Sequence, residues 1–173
     1  MIATDGTTAA GLAPGLIPPG WHPVTTFYYR LPASPLGAPV MVVDGQDELL
    51  VNAAVLSDVA PGYAPAGAAL VAASVPGRAA PDLEPRVRSR LARMYDSSTR
   101  DWQLAEIYAI PRALPVLRAG QPLARPVRLE PGRYVCGDHR DTPSIQGALV
   151  SGRRAASAVL ADRRTGLLRA HQR

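Results

Sequence analysis

A glycine and a carboxylate near the C-terminal end of the chain have the types and spacing of a ligand site. Gly137 and Asp138 follow a short apolar run at 133–136 that is typical of a strand, and a polar loop then leads to Ser144. Asp138 would lie at the carboxyl end of this strand, beside the N-terminus of a helix. A carboxylate there can accept hydrogen bonds from hydroxyl groups, and free amides at a helix N-terminus can bind anions. The pattern predicts a site for a polyol-bearing or anionic cofactor.

The helix that follows must position this site. Ser144 fits the N-cap, and apolar or small residues recur at helical spacing on one predicted face: Ile145, Leu149, Gly152, Ala156, Val159 and Leu160. Gly137 would let the backbone turn sharply after the strand. Gly147 would let a flat ligand approach the first turn, and Gly152 would permit close packing on a sheet. The sequence therefore predicts strand, loop and helix at 133–162.

The rest of the chain divides into short elements. The 173 residues include 18 Pro and 15 Gly, and 47% hydrophobic content argues against disorder. Runs typical of strands occupy 25–31, 39–43, 49–56, 69–75 and 102–110, and the last is expected to stop at Pro111. A long irregular link is expected from there to residue 132. The predicted fold class is α/β with α+β character, including a mostly antiparallel sheet.

One helix is predicted within this region. Apolar residues recur at helical spacing at 83, 87, 91 and 94, and Asp82 lies at the expected N-cap position. Arg86, Arg90 and Arg93 are expected on its opposite, solvated face. The pattern predicts that this helix packs against the sheet, and it indicates no catalytic or binding role for the helix.

The C-terminal motif resembles that of a known family. The run Tyr134-Val135-Cys136-Gly137-Asp138, followed by a helix from Ser144 to Ala156, resembles the C-terminal flavin motif of the FAD-dependent amine oxidase and phytoene desaturase-like superfamily. Residues 1–5 resemble a strand that returns from the FAD domain, and 110–115 resemble part of a substrate domain. The resemblance implies the C-terminal part of a two-domain flavoprotein with a Rossmann-like FAD domain.

The resemblance also implies a division of the chain. It assigns 1–24 as a return strand and linker, 25–115 as a substrate-domain-like sheet plus a helix, 116–132 as a linker, 133–162 as the C-terminal FAD-binding strand–loop–helix, and 163–173 as a basic tail. The implied cofactor-binding residues are Gly137, Asp138, Ser144, Ile145, Gln146, Gly147 and Ala148. Asp138 would bind ribityl or pyrophosphate-side oxygens of FAD, and the backbone amides of 145–148 would face the flavin.

The implied activity is hydride transfer from an apolar or amine small-molecule substrate to flavin, with no catalytic residue identified. The family's Gly-x-Gly-x-x-Gly turn, which holds the ADP half of FAD, has no counterpart here, since the chain contains no Gly-x-Gly. We therefore expect the C-terminal portion of a longer oxidoreductase, with self-association or a complementing FAD-domain chain. The alternative is a non-catalytic fragment or interaction module whose partner supplies the dinucleotide-binding half.

Charge and composition argue against a nucleic-acid partner. The first 80 residues carry two Arg and five acidic residues, whereas the remainder carries 17 Arg and nine acidic residues. These arginines follow no single element, and aromatic residues make up only 5% of the chain. Basicity alone therefore predicts no nucleic-acid binding.

Other chemistries find little support in the sequence. Three scattered histidines and the single Cys136 give no zinc-ligand spacing, so no metal is expected, and Cys136 is expected to be a buried small residue. His139 to Asp141 are expected to form a solvated turn, and a hydrolase built from them and Ser144 would lack a nucleophile elbow. With no apolar run long enough for a membrane span and no signal peptide, a cytoplasmic location is expected.

Overall fold

The computed structural model describes residues 1–46 and 49–167. Two short 3₁₀ turns, Pro61–Tyr63 and Asp138–Arg140, accompany the strands and helices. In chain order these are β1 (Ile2–Ala3), α1 (Gly6–Leu12), β2 (Trp21–Leu31), β3 (Met41–Val43), β4 (Asn52–Val55), α2 (Leu56–Val59), β5 (Ala69–Pro76), α3 (Leu83–Met94), β6 (Gln103–Pro115), β7 (Arg128–Glu130), β8 (Arg133–Cys136) and α4 (Ile145–Arg164).

The chain forms two compact units. Unit 1 comprises Met1–Trp21 together with the residues from Leu114 onward, and unit 2 comprises His22–Ala113. Each unit contains its own sheet and at least one helix, so the predicted mixed α/β class with a mostly antiparallel sheet is confirmed. The five functional segments named above stay a prediction, although several element boundaries differ from the expected ones.

Unit 2 is built on a five-stranded sheet in the order β3-β4-β5-β2-β6. β2 and β5 pair antiparallel from Val24 opposite Pro76 to Leu31 opposite Ala69. Alternate residues of β2 enter the core, which includes Phe27, Tyr29 and Leu31 and is covered by Leu83, Val87 and Leu91 of α3. β2 begins at Trp21, four residues before the predicted start at residue 25.

Helix α3 has the predicted helical period, but one residue of its predicted solvent-exposed face is buried. Asp82 lies at the N-cap position, yet its side chain makes no capping hydrogen bond. Arg86 and Arg93 are exposed as expected, whereas Arg90 is buried and forms an ion pair with Asp44. Position 90 follows Val87 by three residues and therefore lies on the core side of the helix.

Strand β6 continues beyond its predicted end. It runs through Pro111 to Pro115, at the edge of the sheet, so the prediction that Pro111 ends the strand is wrong. Proline is compatible with an edge strand because its missing N–H can lie on the side that has no neighbouring strand. The predicted linker at 116–132 likewise contains a short strand, β7.

Unit 1 contains a three-stranded sheet in the order β1-β8-β7. β1 is parallel to β8, with Ile2 opposite Val135, and β7 pairs antiparallel on the other side. The strand before Gly137 therefore has a parallel neighbour within unit 1. The sequence prediction also missed α1, which Asp5 caps by accepting hydrogen bonds from the amides of Thr7 and Thr8.

Helix α4 buries a different face from the predicted one. Its buried residues are Gly147, Ser151, Ala155 and Asp162. Ile145 is 78% exposed and Leu149 is 69% exposed, and Leu160 and Ala156 are also exposed. Small residues at four-residue intervals let the helix lie close to β8, and this contact outweighs the burial of the larger apolar side chains. Of the predicted face, Val159 packs against the cluster formed by Val127, Tyr134, Cys136 and Ala155.

The end of the chain is described only in part. α4 continues to Arg164, two residues beyond the predicted boundary at 162, and residues 168–173 of the predicted basic tail lie outside the described residues. Within the described ranges, no helix is both long enough and apolar enough to cross a bilayer.

Candidate cofactor-binding site

The candidate site lies where β1, β8 and α4 of unit 1 meet. Because β1 and β8 are parallel, their carboxyl ends lie at the same edge of the sheet, where Thr4 and Asp5 follow one strand and Gly137 and Asp138 follow the other. The carboxyl ends of parallel strands beside a helix N-terminus form the usual ligand-binding edge of α/β proteins. The sequence predicted β8 and α4 at this edge, and the structure adds β1.

A cavity of about 460 Å³ opens at this edge. Its walls are mostly apolar, and its volume falls within the range of small-molecule sites. The lining residues are Ala3, Thr4, Asp5, Leu114, Cys136, Gly137, Asp138, Ser144, Ile145 and Ala148. Five of the seven predicted cofactor-binding residues therefore line one cavity. Gln146 and Gly147 do not line it.

Gly137 makes the turn at the end of β8 possible. Its φ of 145° lies in a region that residues with a side chain rarely adopt. A Cβ there would lie 2.7 Å from the ring of His139 and 2.7 Å from the carbonyl oxygen of Thr4. The sequence-based explanation for this glycine, a sharp turn off the strand, agrees with the geometry.

Ser151 fixes this turn to α4. Its hydroxyl accepts a hydrogen bond from the amide of Gly137 at 2.9 Å and lies 2.8 Å from the Gly137 carbonyl oxygen, to which it can donate. Ser151 is completely buried. The sequence analysis missed it, although its spacing of four residues from both Gly147 and Ala155 is the signal that marks the buried face.

Gly147 has a different role from the predicted one. A Cβ at this position would lie 1.9 Å from the carbonyl oxygen of Thr142, so glycine is required by contact with the preceding loop and not by a ligand. The Gly147 amide donates to Ser144 Oγ at 3.0 Å, which confirms Ser144 as the N-cap. Gly152, by contrast, has no neighbouring atom within 4 Å of an added Cβ, so close packing does not explain it.

The first turn of α4 leaves two amides available. Gly147 donates to Ser144 Oγ, and Ala148 donates to the carbonyl oxygen of Ser144 at 3.0 Å. Among the described residues, no acceptor binds the amides of Ile145 and Gln146. Of the four amides predicted to face a ligand, those of Ile145 and Gln146 therefore have no acceptor, and of these two residues only Ile145 lines the cavity. Both amides lie at the positive end of the helix dipole.

The loop before α4 is anchored and is not the solvated turn that was expected. Arg154 donates to Asp141 Oδ2 at 2.7 Å and to the carbonyl oxygens of Arg140 and Arg125. Arg140 in turn donates to the carbonyl oxygen of Pro126 at 3.0 Å. Because the carboxylate of Asp141 pairs with Arg154, it does not orient a catalytic histidine, and the geometry gives no support to a hydrolase.

His139 lies buried beneath the turn. Only 6% of it is exposed, and neither ring nitrogen has a hydrogen-bond partner among the described residues. Its Nδ1 lies 4.0 Å from Asp138 Oδ1. Burial, and then the positive charge of Arg140, lower the pKa of His139 below its usual value. The imidazole is therefore held in its neutral form at pH 7.

Asp138 differs from the other acids of the loop. Its side chain is 27% exposed and lines the cavity, and no described residue donates a hydrogen bond to its carboxylate.

Cys136, which also lines the cavity, is buried as predicted, with Sγ 3.7 Å from the carbonyl oxygen of Ile2. Within the described ranges, His, Cys, Asp and Glu form no group that could hold a metal ion.

These features suit a flavin in two respects. The apolar walls, including Ala3, Leu114 and Ile145, match the flat face of a ring system. The carboxylate of Asp138 can accept hydrogen bonds from hydroxyl groups, and the available amide of Ile145 can donate to an electronegative atom. The fold and the cavity thus define an α/β protein in which a strand, a turn and a helix N-terminus line one mostly apolar cavity.

Comparison with known proteins gives the family. The sequence pattern of the family described as flavin containing amine oxidoreductase matches residues 18–160. The chain therefore belongs to the flavin-containing amine oxidoreductases, a family whose members hold a flavin cofactor. This membership confirms the resemblance to the amine oxidase superfamily. No curated protein matches the chain.

A solved structure shares the fold. An oxidoreductase from Methanosarcina mazei superimposes with a TM-score of 0.55 at 14% sequence identity, over 80% of this chain and 35% of that chain. The chain therefore spans about a third of the length of that structure. At this identity the similarity is one of fold.

Proposed function

We propose that unit 1 forms the flavin-side half of an FAD site in an oxidoreductase that acts on an apolar or amine substrate. The observation that carries the proposal is the convergence of Gly137, Asp138, Ser144 and Ile145 on one apolar cavity at the ends of two parallel strands. Family membership supports the flavin, and the motif at 134–156 supports FAD in particular.

Each part of the cavity has a defined role in this proposal. Asp138 accepts hydrogen bonds from cofactor hydroxyl groups, since its carboxylate lines the cavity and has no donor within the described residues. The amide of Ile145, which lines the cavity, stabilises negative charge at the helix N-terminus. The apolar walls exclude water from the face of the ring. A bound flavin supplies the hydride-accepting chemistry, so the protein needs no nucleophile of its own.

A titration of the purified chain with FAD, followed by visible absorbance, tests this proposal. We expect a perturbed flavin band, and we expect Asp138→Ala to weaken binding roughly 10- to 100-fold, because a hydrogen bond to a charged acceptor is lost. Asp82→Ala, which removes an exposed carboxylate from unit 2, is the matched control and should bind as the wild type does. Equal affinities of Asp138→Ala and the control would contradict the assignment of Asp138.

A second candidate function is that of a module completed by another chain. The exposed apolar residues Ile145, Leu149 and Leu160 of α4 favour it, since an exposed apolar stripe marks an interaction surface. The occupant we propose is the dinucleotide-binding half of a family member, because this chain contains no Gly-x-Gly turn of its own.

Co-expression with such a half tests the second candidate. We expect the two chains to purify together with FAD, and Leu149→Glu to abolish the association by burying a charge. Ala161→Glu, at an exposed position on a different face of the same helix, is the control for an added charge and should leave the association intact. Retention of FAD by the single chain, with no association, would instead favour the first candidate.

A further inference from the structure

His139 of unit 1 is a buried polar residue that has no role in the candidate site. It lies in the 3₁₀ turn Asp138–Arg140, and only 6% of it is exposed. Neither ring nitrogen has a hydrogen-bond partner among the described residues. A buried polar group without a partner costs free energy, and native proteins contain few of them. The unpaired ring nitrogens therefore need an explanation beyond packing.

The side chain of His139 lies against two stretches of backbone that have glycine at the point of contact. A Cβ at Gly137 would lie 2.7 Å from Nδ1 of the ring. A Cβ at Gly6, the first residue of α1, would lie 3.1 Å from Cβ of His139. Glycine at both positions leaves the space that the side chain fills, directly beneath the turn that carries Asp138. A change in the charge of the ring therefore acts first on this turn.

Four charged groups face the ring. Burial lowers the pKa of His139, and the positive charges of Arg140 and Arg125 act in the same direction. The negative charges of Asp138 and Asp5 oppose them. A neutral imidazole carries one N–H, whereas a protonated one carries two and a full positive charge. Protonation would therefore strengthen the attraction between the ring and the nearest carboxylate.

Asp138 is the carboxylate that can respond to protonation. Its Oδ1 lies 4.0 Å from Nδ1 of His139, and no described residue donates a hydrogen bond to it. A charge-assisted hydrogen bond spans about 2.7–2.9 Å, so a movement of about 1.2 Å would form one. Asp5 is instead held at the start of α1, where it accepts hydrogen bonds from the amides of Thr7 and Thr8.

We propose that His139 is a positioning residue that makes the ligand affinity of the cavity depend on pH. The inference rests on the proposed function, in which Asp138 accepts hydrogen bonds from ligand hydroxyl groups. While the ring is neutral, the carboxylate lines the cavity and is available to the ligand. When the ring is protonated, it draws the same carboxylate away from the cavity and into an ion pair. Ligand and proton therefore oppose each other, and each weakens the binding of the other by the same factor.

Proton NMR of the purified full chain tests the coupling without a ligand. The chain contains three histidines, so the signals lost in His22→Gln and in His171→Gln leave the one of His139. We expect Asp138→Asn to lower the proton affinity of His139 about tenfold, because the imidazolium loses its ion-pair partner. Glu130→Gln removes an exposed carboxylate of the same unit and should leave this affinity unchanged. Equal midpoints in these two variants, or a ring that stays neutral until the chain unfolds, would overturn the proposal.

Titration with FAD as a function of pH tests the effect on ligand binding. We expect the dissociation constant of the wild type to be constant above about pH 6.5 and to rise about tenfold as His139 becomes protonated. His139→Gln and Asp138→Asn should both lose this dependence, whereas His22→Gln, at an exposed position in unit 2, should keep it. A purely structural His139 would affect stability and not this pH profile. Binding that is independent of pH would overturn the inference, and no binding at any pH would overturn the proposed function itself.

Discussion

Replacement of Ser151 by alanine tests whether one hydroxyl group holds the Gly137 turn against α4. The substitution removes a single oxygen atom and leaves no sizeable cavity, so packing contributes little to its effect. It does leave the amide of Gly137 without the acceptor that now lies at 2.9 Å. A buried donor left unsatisfied costs about 1–3 kcal/mol, and we expect the free energy of unfolding of unit 1 to fall by about 2 kcal/mol.

The matched control is Ser157→Ala on the same helix. Ser157 is exposed and makes no hydrogen bond through its side chain within the described residues, while both substitutions gain the same small increment of helix propensity. The difference between the two variants therefore isolates the hydrogen bonds of Ser151.

Urea unfolding and amide exchange measure the effect. For a unit of about 80 residues, a loss of about 2 kcal/mol corresponds to a melting temperature lower by roughly 8–16 °C. It also corresponds to amide exchange at Gly137 that is roughly 30-fold faster if local opening controls it. If Ser151→Ala were as stable as Ser157→Ala within about 0.5 kcal/mol, the reasoning on this turn would be refuted.

Two further substitutions follow from the same region. Gly147→Ala should destabilise unit 1 by about 1–3 kcal/mol in urea unfolding, because its Cβ would overlap the preceding loop. The control Gly152→Ala should stabilise by about 0.5–1 kcal/mol, and a neutral Gly147→Ala would contradict the overlap. Because the folded protein lowers the pKa of His139, the unfolded chain binds the proton first as pH falls below about 6.5, and stability declines there. His139→Gln should flatten this decline in pH-dependent melting, whereas the exposed control His22→Gln should not.

Local signals predicted most of the elements correctly. The strand at 133–136, the Ser144 cap and the helical period from residue 83 all depend on neighbours within a few residues, and each is present in the structure. The strand ending at Pro111 was predicted wrongly for a physical reason. Whether proline breaks a strand depends on whether its missing amide has a neighbour, and that depends on the order of strands in the sheet.

The sequence predicted the position of Gly137 and Asp138 but not the contacts that hold them there. Both residues follow a strand and line the cavity, as expected, because strand ends and glycines leave a pattern in the sequence. Ser151 and Arg154 were missed because their partners lie 13 or more residues away, at Gly137, Arg140, Asp141 and Arg125. The buried face of α4 was misassigned because helical period identifies residues that share a face and does not decide which face a neighbour covers. In α4 the buried face is the one with small residues, because these let the helix lie close to β8.

The insertion of unit 2 within unit 1 sets an order of events during synthesis. Ile2 pairs with Val135, so β1 emerges from the ribosome long before the strand that it accompanies. Unit 2, at 22–113, is complete before β8 has been made, and its folding brings the two segments that flank it nearer in space than a random chain would. The cavity at the ends of β1 and β8 is thus assembled last, and only a chain translated through α4 can form it.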